Sequence, residues 1–187
     1  MWINYCIFAV ANEKMIGKMK YQDEKDKCYG VVGMAIGLTI WDAEDMFSHI
    51  SLDGDGFDCI SFTQDYYFAG NPTFSAKSAW NAIFERYKII LGLSLSNVMC
   101  RSIVEYSQNM SSNTKQMLLK AFIDEGAHSC QLDEDEVRRL FDKSYSYLSQ
   151  LYMHQRVHAM VNKFVADLKE RRTMTRDEVA EYLGLLG

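Results

Sequence analysis

Two groups of side chains in this sequence have the types and the spacing to do chemistry. His154 and His158, in the run HQRVH, stand four residues apart. On a helix, both imidazoles would project from one face at a separation from which two nitrogens can share a metal ion. Asp53, Asp55 and Asp58 belong to a loop punctuated by Gly54 and Gly56, and their carboxylates are the hard oxygen donors that a divalent cation takes. Either group predicts a divalent-metal site. No other cofactor is expected. Gly30, Gly33 and Gly37 do not form G-x-G-x-x-G, and the chain has no G-x-S-x-G. The five cysteines, Cys6, Cys28, Cys59, Cys100 and Cys130, contain no C-x-x-C and read as free buried thiols of a reducing compartment.

The histidine run resembles the zinc-metalloprotease signature H-E-x-x-H over five residues. Gln155 stands where that signature has its general-base glutamate, and an amide cannot accept a proton from metal-bound water. The resemblance therefore implies a metal site without peptide hydrolysis, with His128, Cys130 or His49 as the third ligand. The competing reading makes both histidines packing residues, hydrogen-bonded to a facing helix or to Tyr147. Two imidazoles in an apolar seam resist charging together, so packing of this kind would loosen toward about pH 5.5.

Ser51-Leu52-Asp53-Gly54-Asp55-Gly56 resembles the first half of an EF-hand calcium loop, preceded by a helix-like run over Trp41 to Ile50. In that register the bidentate glutamate position falls on Phe62, so the implied affinity is low. The competing reading is a glycine turn with solvated acids. At the other end of the chain, MTRDEVAEYLGL (Met174 to Leu185) is similar to the opening helix of helix-turn-helix domains of the excisionase and MerR type. A basic cluster of Lys169, Arg171, Arg172 and Arg176 lies beside it. That resemblance implies a DNA-associated regulator. Only Leu186 and Gly187 follow the turn, where a recognition helix would stand. The net charge of −5 also opposes a broad phosphate-binding face.

The elements that would position these residues are mostly helical. Asp133 to Arg172 reads as one long helix or two collinear ones. Its seam, Leu140, Ser144, Tyr147, Leu151, His154, His158, Val161, Val165 and Leu168, follows coiled-coil steps of four and three. Asp133 with Glu136, and Thr175 with Glu178, have capping-box spacing. Further helices are predicted over Met1 to Lys20, Ser75 to Leu91 with Gly92 as the stop, Ser96 to Gln108, and Thr114 to Glu125 with Gly126 as the stop, and Tyr29 to Ile50 reads as a helix, with a strand as the alternative for its β-branched run. Asn71-Pro72-Thr73 marks a helix start. A small β-hairpin is expected near residues 59–68.

The expected fold is thus an irregular, mostly α helical bundle with a long C-terminal helix. It forms one domain over residues 1–187, with a soft boundary near 109–113. With 48% hydrophobic and 13% aromatic residues and a single proline, the chain can bury a real core. The run Cys28 to Trp41 is too short to span a bilayer. Met1 to Ala11, despite Ala9-Val10-Ala11, lacks the positive start of a signal peptide. The expectation is a cytoplasmic protein that acts by protein–protein interaction or self-association, with a homodimer as one form and without a catalytic role. The alternatives are a divalent-metal-binding protein and a DNA-associated regulator. Neither membrane nor nucleic acid is favoured as a partner.

Overall fold

The structure is a computed structural model that describes residues 20–67 and 75–186. The helix expected over residues 1–19, the Asn71-Pro72-Thr73 start signal, Phe68 and Gly187 lie outside the described residues. Within them the fold is mostly helical, with seven α-helices and a three-stranded antiparallel sheet.

Helix α1, Glu24–Gly37, is capped by Asp23, whose side chain accepts from the Asp26 N–H at 2.8 Å. Every residue from Cys28 to Leu38 is buried, so beyond its partly exposed first turn α1 has no solvent face and runs through the core. Helix α3, Ala76–Met99, runs against it and continues as a π-helical turn, Cys100–Glu105. The two backbones meet through small residues. A Cβ on Gly37 would lie 2.7 Å from the Gly92 carbonyl oxygen, and one on Gly33 would lie 2.6 Å from that of Ser96. Gly92 and Ser96 are therefore not a stop and a cap, as their types suggest, but contact points inside one continuous helix. A helical glycine costs about 1 kcal/mol against alanine, and here close approach to α1 offsets that cost.

A 3-10 turn, Leu38–Trp41, follows α1 and ends at Asp42 with φ of 51°. The chain then forms β1, Phe47–Ser51, so Trp41 to Ile50 is not the helix an EF-hand requires. Strand β2, Ile60–Phe62, pairs with β1, and Gln64–Tyr67 is a short helix, α2. The hairpin thus includes part of the expected 59–68 region, but its partner strand lies upstream. Strand β3, Thr173–Thr175, completes the order β2-β1-β3 and places Met174 opposite Ile50 on the buried face.

Helix α4, Ser112–Cys130, is capped by Ser111 and ends at Gln131 in the left-handed region, φ 55°. Gly126 lies inside it rather than beyond it, where a Cβ would meet Val137 at 2.7 Å and the Tyr87 hydroxyl at 2.9 Å. The long stretch after Asp133 is two helices, α5 over Glu134–Tyr152 and α6 over Gln155–Arg171. Both capping boxes form as the sequence predicts, and the second begins α7, Arg176–Leu183. The heptad seam does not survive in α5. The buried stripe there is Val137, Phe141, Ser144, Leu148 and Tyr152, while Tyr147 is 41% exposed. In α6 the expected Val161, Val165 and Leu168 are buried, joined by Val157, Met160 and Phe164. Both stripes face this chain's own core, so the seam is not a coiled-coil surface for a partner.

Among the described residues one helical stretch, Ala76–Glu105, has the length and composition to cross a membrane, with a mean hydropathy of 1.2 in its most apolar window. Of that window, 72% is buried inside the fold, as in a core helix.

Candidate functional site

The joint between α5 and α6 gives the two histidines different surroundings. Met153 and His154 bond back to the carbonyls of Gln150 and Leu151 at 3.2 Å, which closes α5 with a tight turn. His154 then takes an extended backbone, φ −83° and ψ 125°, as the cap position of α6. Its side chain is exposed and makes no capping bond. His158 Nε2 donates to the Tyr152 carbonyl at 2.6 Å, which satisfies one of the terminal acceptors of α5. One imidazole therefore holds the joint and the other faces solvent. With His154 in solvent, the two imidazoles do not share an apolar seam, which removes the basis for an acid-loosened one.

The remaining ligand candidates stand elsewhere. His128 is exposed near the end of α4, and Cys130 is buried. His49 lies in the middle strand, hydrogen-bonded to the Ser48 hydroxyl at 3.0 Å and the Ser61 hydroxyl at 2.9 Å. Ser48 also donates to the Ser61 carbonyl at 3.0 Å, across the irregularity in the β1–β2 register. Among the described residues no three His, Cys, Asp or Glu side chains come together to hold a metal ion.

The Asp-Gly loop is occupied by structural contacts. Asp53 pairs with Arg172 at 2.7 Å, and Arg172 also reaches Glu24 at 3.2 Å. Asp55 lies 3.6 Å from Lys27, and Asp58 is exposed. Arg172 has φ of 63°, and its carbonyl accepts from the Leu52 N–H at 2.8 Å. The acids thus tie the β1–β2 loop to the end of α6 and the start of α1. A Cβ on Gly54 would lie 2.4 Å from the Asp58 carbonyl oxygen, so the glycine serves a tight turn. Arg171 pairs with Glu178 and Arg176 lies 3.9 Å from Asp177, so three of the four residues of the basic cluster, Arg171, Arg172 and Arg176, are engaged in ion pairs.

What the sequence reading missed is the outer end of α3. Ser75 to Asn81 are all exposed, on a helix whose inner half is buried on every side. Trp80 is 40% exposed, stacks on Phe84 with ring centroids 5.1 Å apart, and donates its indole N–H to the Cys130 carbonyl at 2.9 Å. The Lys88 ammonium lies 5.2 Å from the Phe84 ring and 4.9 Å from the Trp41 ring, and Lys143 approaches Trp41 at 4.6 Å. An aromatic strip with interleaved cations therefore runs from α3 across to α5. Periodicity marks Trp80 and Phe84 as apolar. The polar composition of Ser75 to Asn81, against the apolar Ile89 to Leu95, was the signal that this end lies outside the core.

Comparison with known protein families, curated proteins and solved structures finds no match to the chain.

Proposed function

We propose that this protein acts by protein–protein association, with a second copy of the chain as its partner, through the strip that begins at Trp80 and Phe84. The observation that carries this reading is the contrast within α3: the segment Ser75 to Asn81 is exposed throughout and presents a stacked tryptophan at its edge. Rigid aromatic side chains already fixed in place lose little freedom on binding and dominate the energetics of interfaces. The indole bond to Cys130 fixes Trp80 before any partner arrives. The site of action is the cytoplasm, a reading supported by the buried free thiols Cys28, Cys59, Cys100 and Cys130. Neither the histidines nor the Asp-Gly loop offers an observation that favours the metal reading.

The test is sedimentation of the full chain over a wide range of concentrations. The expected mass rises from 21.6 kDa toward twice that value, and Trp80→Ser with Phe84→Ser holds it at the lower figure. A mass of 21.6 kDa at every concentration overturns the self-association reading.

A further inference from the structure

The joint between α1 and the π turn holds two carboxyl groups with different surroundings. Asp26, in the first turn of α1, has a fully buried side chain. Arg101 grips it with two bonds, Nε to Oδ1 and Nη2 to Oδ2, the latter at 2.5 Å. The Gln22 N–H adds a third at 2.7 Å. Arg101 also donates to the Lys20 carbonyl at 3.2 Å, and its guanidinium lies 5.0 Å from the Tyr21 ring centre. Four residues on, Glu105 has a side chain only 4% exposed. Its Oε1 lies 3.7 Å from the Lys25 ammonium, while Oε2 is buried without a donor. As a carboxylate, Glu105 accepts only, and so does Asp26. A single proton resolves this, because it turns Glu105 into a donor toward Asp26.

We propose that Asp26 and Glu105 share one proton and form a pH-sensitive clasp between the start of α1 and the π turn, closed while the proton is held and loosened when it leaves.

The surroundings set which carboxyl keeps it. Burial pushes Glu105 above the ordinary glutamate value, and the negative charge of Asp26 pushes it further. Burial opposes the charge on Asp26 too, but the Arg101 and Gln22 bonds outweigh it and hold Asp26 below its ordinary value. Lys25 opposes the rise at Glu105 and Asp23 adds to it. From the π turn, burial raises the Cys100 thiol to about 12, and it raises Tyr106 as well. Burial likewise raises Tyr21, to about 12, and Tyr29. These groups therefore stay neutral while Glu105 titrates. Helix α6 reaches the cluster through Asn162, which accepts from the Tyr29 hydroxyl at 2.6 Å. A raised folded value at Glu105 means that its contribution is complete below the ordinary glutamate value and is lost as pH rises through the raised one. A lowered value at Asp26 means that its contribution is lost only as pH falls through that lower value.

Glu105→Gln keeps the shape and supplies a donor at every pH. The expected result is a wild-type melting temperature that declines as pH rises past the glutamate range. The variant lacks that decline and melts about 2–4 °C higher at pH 8. Identical pH slopes for the two proteins overturn the clasp. If the variant does not fold, infrared spectroscopy of the wild type decides. A carboxyl that stays protonated at a pH where ordinary glutamates are ionised supports it. Its ionisation together with the other glutamates overturns it.

Discussion

The two ends of α3 are built by opposite rules. From Ile89 to Cys100, apart from half-buried Val98, the helix is buried, and it approaches α1 so closely that Gly92 faces Gly37 and Ser96 faces Gly33. From Ser75 to Asn81 the same helix is exposed and carries Trp80 at its edge. Small residues serve contact with the chain itself, where backbones must touch. Large aromatics serve a surface, where area and rigidity matter more than fit to a neighbour already in place. One helix thus anchors the fold with one half and leaves the other exposed, where the proposed contact surface lies.

Substitutions can break or sharpen that contrast. The largest effect is expected at the inner end. Gly33→Val sets new atoms against the Ser96 carbonyl and Cys100, and should cost about 3 kcal/mol or prevent folding, as read by urea denaturation. A smaller loss is expected from Tyr152→Phe. It removes the hydroxyl that meets Ser96 at 2.7 Å in a fully buried site, and should cost about 1–2 kcal/mol by thermal melting. His158→Ala should cost about 1 kcal/mol, because the terminal carbonyl of α5 loses its donor, whereas His154→Ala should cost almost nothing. Equal losses at the two histidines, together with a melting shift on adding zinc, would restore the pair as a unit. Within α3 the smaller effect on stability belongs to the outer end. Trp80→Ser leaves the core intact and should change the melting temperature of a dilute sample by only a few degrees while weakening association.

The features written in local chemistry were legible. Asp133 with Glu136 and Thr175 with Glu178 form their capping boxes because those bonds span three residues and need no tertiary partner. The mostly α class followed from the same periodicities. What depends on distant partners was not legible. Thr173–Thr175 becomes a strand only because Phe47–Ser51, more than 120 residues earlier, offers an edge. Gly92 and Gly126 have the type of helix stops, but their roles are set by Gly37, Val137 and Tyr87 across the core. The α5–α6 break at Met153 carries no glycine or proline, and an ideal helix drifts from a strict heptad, so the seam through Tyr147 and His154 was one plausible register among several. For the candidate surface, Trp80 and Phe84 were legible as apolar residues, but period alone does not say which stripe stays uncovered. Asp26 and Arg101, 75 residues apart in sequence, meet only because α1 and α3 pack as they do.

Hydrogen–deuterium exchange on the full chain, at low and at high protein concentration, tests the contrast within α3 most directly. Peptides from Ile89 to Glu105 should be protected equally at both concentrations, and peptides from Ser75 to Phe84 should gain protection only at the high one. Exchange over Ser75 to Phe84 that does not change with concentration would contradict a contact surface there.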